Sequence, residues 1–281
     1  MINLFAEYQD GKKPMDEFID RKLSAETEKK YDEVHLEAEQ YSKKAQPTWL
    51  ATIGTIVLPI GLLLVIGMFL AKDGFYNALK TRGYIFYIGL ALTLFGIGTK
   101  VHKFLRTKKL EKDHGVEALS KKADDVLSEC YRELNIPEEH EKIDVLFAHY
   151  KKNKKGEDRI KSIFLFTHVN METLWFLEDK HLCIADPTLV LKIPLNAFKR
   201  IVRINKKAMV LYWNKDKNIN APEYKEYKLK TNAYGMVFVK PYYSVELCIN
   251  DKDYHFYIPN YDLKNVLKLL DLEVIEPEKG K

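Results

Sequence analysis

Residues 49–71 read WLATIGTIVLPIGLLLVIGMFLA, and residues 84–105 read YIFYIGLALTLFGIGTKVHKFL. The first stretch carries no charged side chain. As a helix rising about 1.5 Å per residue it is roughly 34 Å long, enough to cross a hydrocarbon core of about 30 Å. The second is uncharged only as far as Thr99, about 24 Å, and reaches full thickness at Leu105 if Lys100 and Lys103 snorkel toward headgroups. The pair predicts a transmembrane helical hairpin over residues 48–105, with spans of about 49–71 and 84–105.

Flanking cations orient such a hairpin, because basic loops resist translocation. Lys29, Lys30, Lys43 and Lys44 precede it, and Lys100, Lys103, Arg106, Lys108, Lys109 and Lys112 follow its second span, whereas only Lys72, Lys80 and Arg82 lie between the spans. This predicts a multi-pass cell-membrane protein with both termini cytoplasmic and Phe75, Tyr76, Tyr84 and Tyr87 at the interface. Inside the spans the polar residues are Thr52, Thr55, Thr93 and Thr99, too few to line a water-filled path. Gly54 and Gly61, like Gly89 and Gly96, recur seven apart, which puts a smooth stripe on each helix for packing within the membrane and allows homo-oligomerisation through the hairpin. Pro59 removes one backbone donor and predicts a kink.

Forty-five basic against 40 acidic residues leave a net charge of +5, too small a balance to imply a nucleic-acid partner. Cys130, Cys183 and Cys248 are odd in number and widely spaced, as reduced structural thiols are. The first apolar run starts too late and runs too long for a signal peptide, so it is expected to act as an uncleaved anchor.

Before the hairpin, residues 1–13 read as irregular, broken by Asp10, Gly11 and Pro14. From Met15 to Gln46, within an N-terminal segment 1–47, a helix is expected, with a seam of Tyr31, Val34, Ala38, Tyr41 and Ala45. Residues 106–137 form a second arm, with Val116, Leu119, Ala123, Val126 and Cys130 on its seam. The two seams can bury one another in an antiparallel stalk, with Phe18, Ile19 and Leu23 opposite 127–134 and Val34 to Tyr41 facing 104–110. The competing arrangement lays the first helix flat on the lipid surface through Lys43 and Lys44.

From Ile143 the period shortens to 2. Strands are expected at 144–151, 163–166, 173–177, 181–185, 190–193, 198–204, 209–213, 227–230 and 236–240. A hairpin follows in which Val245, Leu247 and Ile249 face Tyr254, Phe256 and Ile258 across Asn250-Asp251. Leu263, Val266, Leu267 and Leu270 then make one amphipathic helix started by Asn260, and residues 274–281 read as a disordered tail. The whole is an α+β membrane protein: a two-helix transmembrane hairpin, an antiparallel helical stalk and, over 138–273, an antiparallel β-barrel-like domain closed by one helix.

Two stretches, Leu174-Trp-Phe-Leu-Glu-Asp-Lys-His-Leu182 and Lys192-Ile-Pro-Leu-Asn-Ala-Phe198 leading into Ile201 and Val202, resemble the pleckstrin-homology or GRAM-type fold of bacterial two-span membrane proteins. There a polar hairpin tip precedes a strand ending in Ile-Pro-Leu; here Glu178 stands for the usual Thr or Ser and His181 for the usual Arg. The resemblance implies a module that binds lipids, peptides or proteins without catalysis.

The densest cation cluster is Lys151, Lys152, Lys154, Lys155, Arg159 and Lys161, in a glycine-containing turn that can hold lipid headgroups or other anions. Against that stands ordinary solvated edge protection, with Glu157 and Asp158 diluting the field. Lys199, Arg200, Arg203, Lys206 and Lys207 form a second run, expected to face solvent. Trp175 and Trp213 read as core. No catalytic or cofactor motif appears, and His168, Glu172, Asp179 and His181 share no common face for a metal. These features predict a non-enzymatic membrane protein whose cytoplasmic module binds a protein partner or anionic lipid, as an adaptor or envelope-associated sensor. The alternatives are an accessory subunit of a transporter or channel, and a membrane-bound enzyme with an unrecognised site.

Overall fold

The computed structural model describes residues 1–45, 49–72, 74–111, 114–161, 168–210, 218–231 and 237–276. The chain is α+β and divides into two compact units, one made of Met1–Glu28 with Glu129–Lys281 and the other of Lys29–Ser128. The helical unit is therefore inserted in sequence within a β domain built from the segments on either side of it.

Met1–Glu28 supplies β1 (Ile2–Asn3), β2 (Ala6–Glu7) and β3 (Ile19–Lys22). Four helices follow, α1 (Ala25–Ala45), α2 (Trp49–Phe69), α3 (Phe75–Glu111) and α4 (His114–Glu133). Next come β4 (Glu141–Lys152), β5 (Asp158–Ile160), β6 (Val169–Glu178), β7 (His181–Ala185), β8 (Leu189–Pro194), β9 (Phe198–Ile204) and β10 (Ala208–Val210). The chain continues through β11 (Lys230–Thr231), β12 (Val237–Val239), β13 (Tyr242–Ile249), β14 (Lys252–Pro259), α5 (Leu263–Leu269) and β15 (Val274–Ile275).

One sheet runs β2-β4-β6-β7-β8-β3, with β5 also on β4, and curls into a half-barrel; a second runs β1-β14-β13-β9-β15. Two-residue turns at Asp179-Lys180 and Asn250-Asp251 have positive φ at both positions, the geometry that matches strand twist in tight hairpins. The sheets share a core in which Trp175 and Phe5 both meet Phe256 edge to face, at 5.7 and 5.4 Å. Trp175 donates its indole N–H to Thr173 Oγ1 at 2.8 Å, and that hydroxyl donates to the Ile143 carbonyl at 2.7 Å, so the largest core side chain leaves no orphan donor. Val266 and Leu270, from and just after α5, close the core. Asp262 fastens this helix start to β4 by accepting the Asp144 backbone N–H at 2.7 Å, while the Tyr261 hydroxyl donates to Asp144 Oδ2 at 2.7 Å.

Residues 1–13, expected to be irregular, contain two strands instead. β1 pairs in parallel with β14 (Ile2 beside Tyr254) and β2 with β4 (Ala6 beside Ala148), so one short segment bridges the two sheets. Leu4, Phe5 and Ala6 are wholly buried there, which is the burial that drives the pairing. The helix expected from Met15 starts only at Ala25: Pro14–Phe18 is a 3-10 turn, Ile19–Lys22 pairs with β8, and Ser24 Oγ accepts the Thr27 N–H as a helix cap. The tail expected from residue 274 begins with β15, parallel to β9. Strand candidate 163–166 and Trp213 lie outside the described residues; residues 222–227 form a 3-10 turn where a strand was expected to begin.

In the helical unit, Phe75–His102 is long and apolar enough to cross a membrane. This apolar helix starts nine residues before the expected Tyr84, drawing Lys80 and Arg82 into α3, which kinks at Arg82 (φ −134°, ψ 26°), whereas in the expected first span, among the described residues, Ile53–Phe69 is a shorter apolar helix. Lys122 pairs with Glu37 at 2.7 Å. Val34 to Tyr41 therefore lie level with residues near 119–126 and not with 104–110. Of the expected seam residues Val34 is buried, Tyr41, Leu119, Ala123 and Val126 are half-buried, and Ala38 is exposed. Where α1 begins, the Glu133 carboxylate of α4 accepts from the Ser24 N–H and the Thr27 hydroxyl.

Candidate functional site

The basic cluster sits on the hairpin of β4 and β5. Cross-strand neighbours share a face, and the register places Lys151 opposite Arg159 and Lys152 opposite Asp158. The second pair is an ion pair at 3.1 Å. The first sets two cations side by side, an arrangement that destabilises a bare hairpin and that a bound anion would relieve. The ladder continues with the Lys161 N–H donating to the His149 carbonyl at 2.6 Å, so strand alternation puts His149, Lys151, Arg159 and Lys161 on one face.

Asn153 builds the turn: its Oδ1 accepts from the Lys155 and Glu157 N–H groups at 2.8 and 3.0 Å, and its Nδ2 donates to the Glu157 carboxylate at 2.8 Å. Gly156 takes φ +79° at the tip. The two acids expected to dilute the field are thus each held elsewhere, Glu157 against Asn153 and Asp158 against Lys152. Among the described residues no carboxylate pairs with Lys151, Lys154, Lys155, Arg159 or Lys161, and all five are exposed.

The N-terminal segment supplies the other wall, which the sequence reading missed although Ile2, Leu4, Ala6 and Tyr8 alternate with period 2. Tyr8 stacks on Tyr150 with ring centroids 5.0 Å apart and planes 16° apart, and Gln9 Oε1 accepts the Lys152 N–H at 2.9 Å. Burial pushes both tyrosine hydroxyls above their ordinary range, so they stay neutral donors. Beside this stack open two clefts. One, of about 530 Å³, includes Glu7, His149, Lys151 and Lys161; the other, of about 630 Å³, includes Gln9, Lys12 and Lys152. Glu7 lies 3.4 Å from His149 Nδ1 and is the carboxylate at the rim of the first.

The second basic run is engaged differently. Lys199 pairs with Asp253, Arg200 with Glu246 and Arg203 with Glu276, at 2.9, 2.7 and 2.6 Å, and Lys207 lies 3.9 Å from the Phe238 ring centroid.

The four glycines face the opposite helix of their own hairpin. A Cβ on Gly61 would lie 2.6 Å from the Thr93 nitrogen, on Gly89 2.8 Å from Leu64 Cβ, and on Gly96 2.6 Å from Leu58 Cβ; Gly54 abuts Thr99. Thr93 and Thr99 hydroxyls donate to the Gly89 and Gly96 carbonyls, both at 2.8 Å, so these polar groups are satisfied within α3. The smooth stripes are consumed by α2–α3 packing.

No protein-family model, curated protein or solved structure matches this chain.

Proposed function

We propose that this chain is a non-enzymatic membrane-anchored binding protein whose α2–α3 hairpin spans the bilayer and whose pleckstrin-homology-like β domain offers the β4–β5 hairpin to anionic lipid headgroups in the cytoplasm. Two features support the anchor. α3 carries an apolar stretch of spanning length, and Ile56, Leu63, Ile66, Leu94, Phe95 and Ile97 are exposed on α2 and α3, more contiguous apolar surface than water tolerates. The domain reading rests on strand order: four antiparallel strands (β4, β6, β7, β8), three more (β9, β13, β14), then a closing helix.

The observation that carries the function is the Lys151–Arg159 juxtaposition, with Lys161 on the same face and no carboxylate pairing with any of the three among the described residues. Such a cluster gains most beside a negative leaflet. The test is native mass spectrometry of the full chain in detergent with short-chain phosphatidylglycerol and phosphatidylcholine. Preferential occupancy by phosphatidylglycerol, lost in Lys151→Glu/Arg159→Glu, is expected. Equal occupancy, or a preference the double variant leaves intact, overturns the lipid reading.

A further inference from the structure

Where α2 gives way to α3, a cleft of about 460 Å³ opens between the two helices. Lys72 and Arg82 line it near the connection, and Leu63, Gly67 and Ile85 line it farther along the helices, so one cleft joins two exposed cations to an apolar trough. Gly67 keeps the trough open, since nothing lies within 4 Å of a Cβ built on it. Met68 and Ala78, each 5 % exposed, back the cleft with buried apolar surface.

Arg82 sets the chemistry. It comes seven residues after Phe75 in the apolar stretch Phe75–His102, about 10 Å along a helix, and α3 leaves helical geometry there. The turn before it is held by Thr81, whose hydroxyl donates to the Asn77 carbonyl at 2.9 Å. In a bilayer a guanidinium at that depth needs a counter-charge. The hairpin offers none: among the described residues no carboxylate lies between Trp49 and Leu110. In sequence, residues 70–84 set Lys72, Lys80 and Arg82 against Asp73 alone, a net charge of +2.

We infer that this cleft holds a phosphomonoester lipid, its phosphate between Lys72 and Arg82 and one acyl chain in the trough beside Leu63, Gly67 and Ile85. Charge and shape select it together. A phosphomonoester carries about −1.5 to −2 charges at pH 7, close to a full match for the connection, and presents paired oxygens to the arginine fork. A phosphodiester such as phosphatidylglycerol brings one charge, and phosphatidylcholine adds a cation of its own. A water-soluble phosphate has nothing to place in the trough. The inference rests on the hairpin spanning a bilayer and not on the lipid reading of β4 and β5.

Native mass spectrometry of the full chain carrying Lys151→Glu/Arg159→Glu, which removes the β4–β5 cation pair, tests it in detergent with phosphatidic acid, phosphatidylglycerol and phosphatidylcholine of one chain length. Phosphatidic acid is expected to dominate, and Lys72→Gln/Arg82→Gln to lower its occupancy by about tenfold. Lys100→Gln/Lys108→Gln, on the same helix and outside the cleft, is expected to leave it unchanged. Gly67→Leu, which fills the trough without displacing a neighbour, is expected to lower occupancy at an unchanged melting temperature. Equal occupancy by the three lipids, equal losses in the two double-glutamine variants, full occupancy in Gly67→Leu, or displacement by equimolar glycerol phosphate overturns the proposal. Retention of the chain in carbonate-washed membranes tests the span separately: release removes anchor and cleft together, while retention without lipid selectivity removes the cleft alone.

Discussion

Gly54 and Thr99 meet across the helical hairpin so closely that a Cβ on Gly54 would overlap the Thr99 hydroxyl oxygen. No rotamer change relieves an overlap of that size together with the backbone-level contacts at Gly61 and Gly96. Gly54→Leu and Gly61→Leu should force α2 and α3 apart, costing about 1–3 kcal/mol each. Gly67→Leu, with nothing within 4 Å of its added Cβ, should be neutral. Thermal melting of the three variants in one detergent reads this contrast.

His168 and His255 are buried, and desolvation lowers both imidazoles from 6.5 to about 4; the nearby amino terminus adds to the effect at His255, while Glu246 opposes it. In the unfolded chain they take up protons near pH 6.5, before the folded chain does. Stability is therefore full above pH 6.5 and falls as pH drops from 6.5 to 4, by up to about 1.4 kcal/mol per pH unit per imidazole. Urea unfolding monitored by tryptophan fluorescence at pH 7 and pH 5 should show the loss, and His255→Phe should make it shallower.

Phe5 is 1 % exposed and packs on Phe256. Phe5→Ala should destabilise the β domain by about 3–5 kcal/mol. More sharply, a fragment of residues 138–281 lacks β1, β2 and β3 and should give no dispersed amide NMR spectrum. A chain joining residue 28 to residue 129 through a glycine-serine linker should give one.

Lys151→Glu places a carboxylate opposite Arg159 and converts repulsion into attraction. The variant should melt slightly higher, by the equivalent of about 0.5 kcal/mol, while its occupancy by phosphatidylglycerol falls. Stability and binding moving in opposite directions is the signature; both falling together would indicate damage to the hairpin.

What was legible in the chain follows from how local each signal is. β7 and β9 fall at the short β-branched and apolar runs that mark them, and the alternating β13–β14 hairpin turns at Asn250-Asp251, because such runs and turn chemistry are properties of a few adjacent residues. β1, β2 and β15 are two residues long and pair in parallel with partners far along the chain, and no local pattern encodes that choice. α1 starts at the Ser24 cap and not at Met15, a one-residue signal that the Glu-Lys-rich composition around it hides. At the candidate site the lysines are plain in the sequence. Which of them lack a carboxylate depends on strand register, as the contrast between Lys151 and Lys152 demonstrates, and the Tyr8 wall depends on where residues 6–9 travel.

Ile2 finds its partner at Tyr254, some 250 positions later. On a ribosome, residues 2–7 emerge long before the β14 edge that receives them exists, and the whole of Lys29–Ser128 is made in between. Closure of the domain therefore waits until everything between β1 and β14 has been made, and until then the greasy residues Leu4 and Phe5 lack their eventual neighbours.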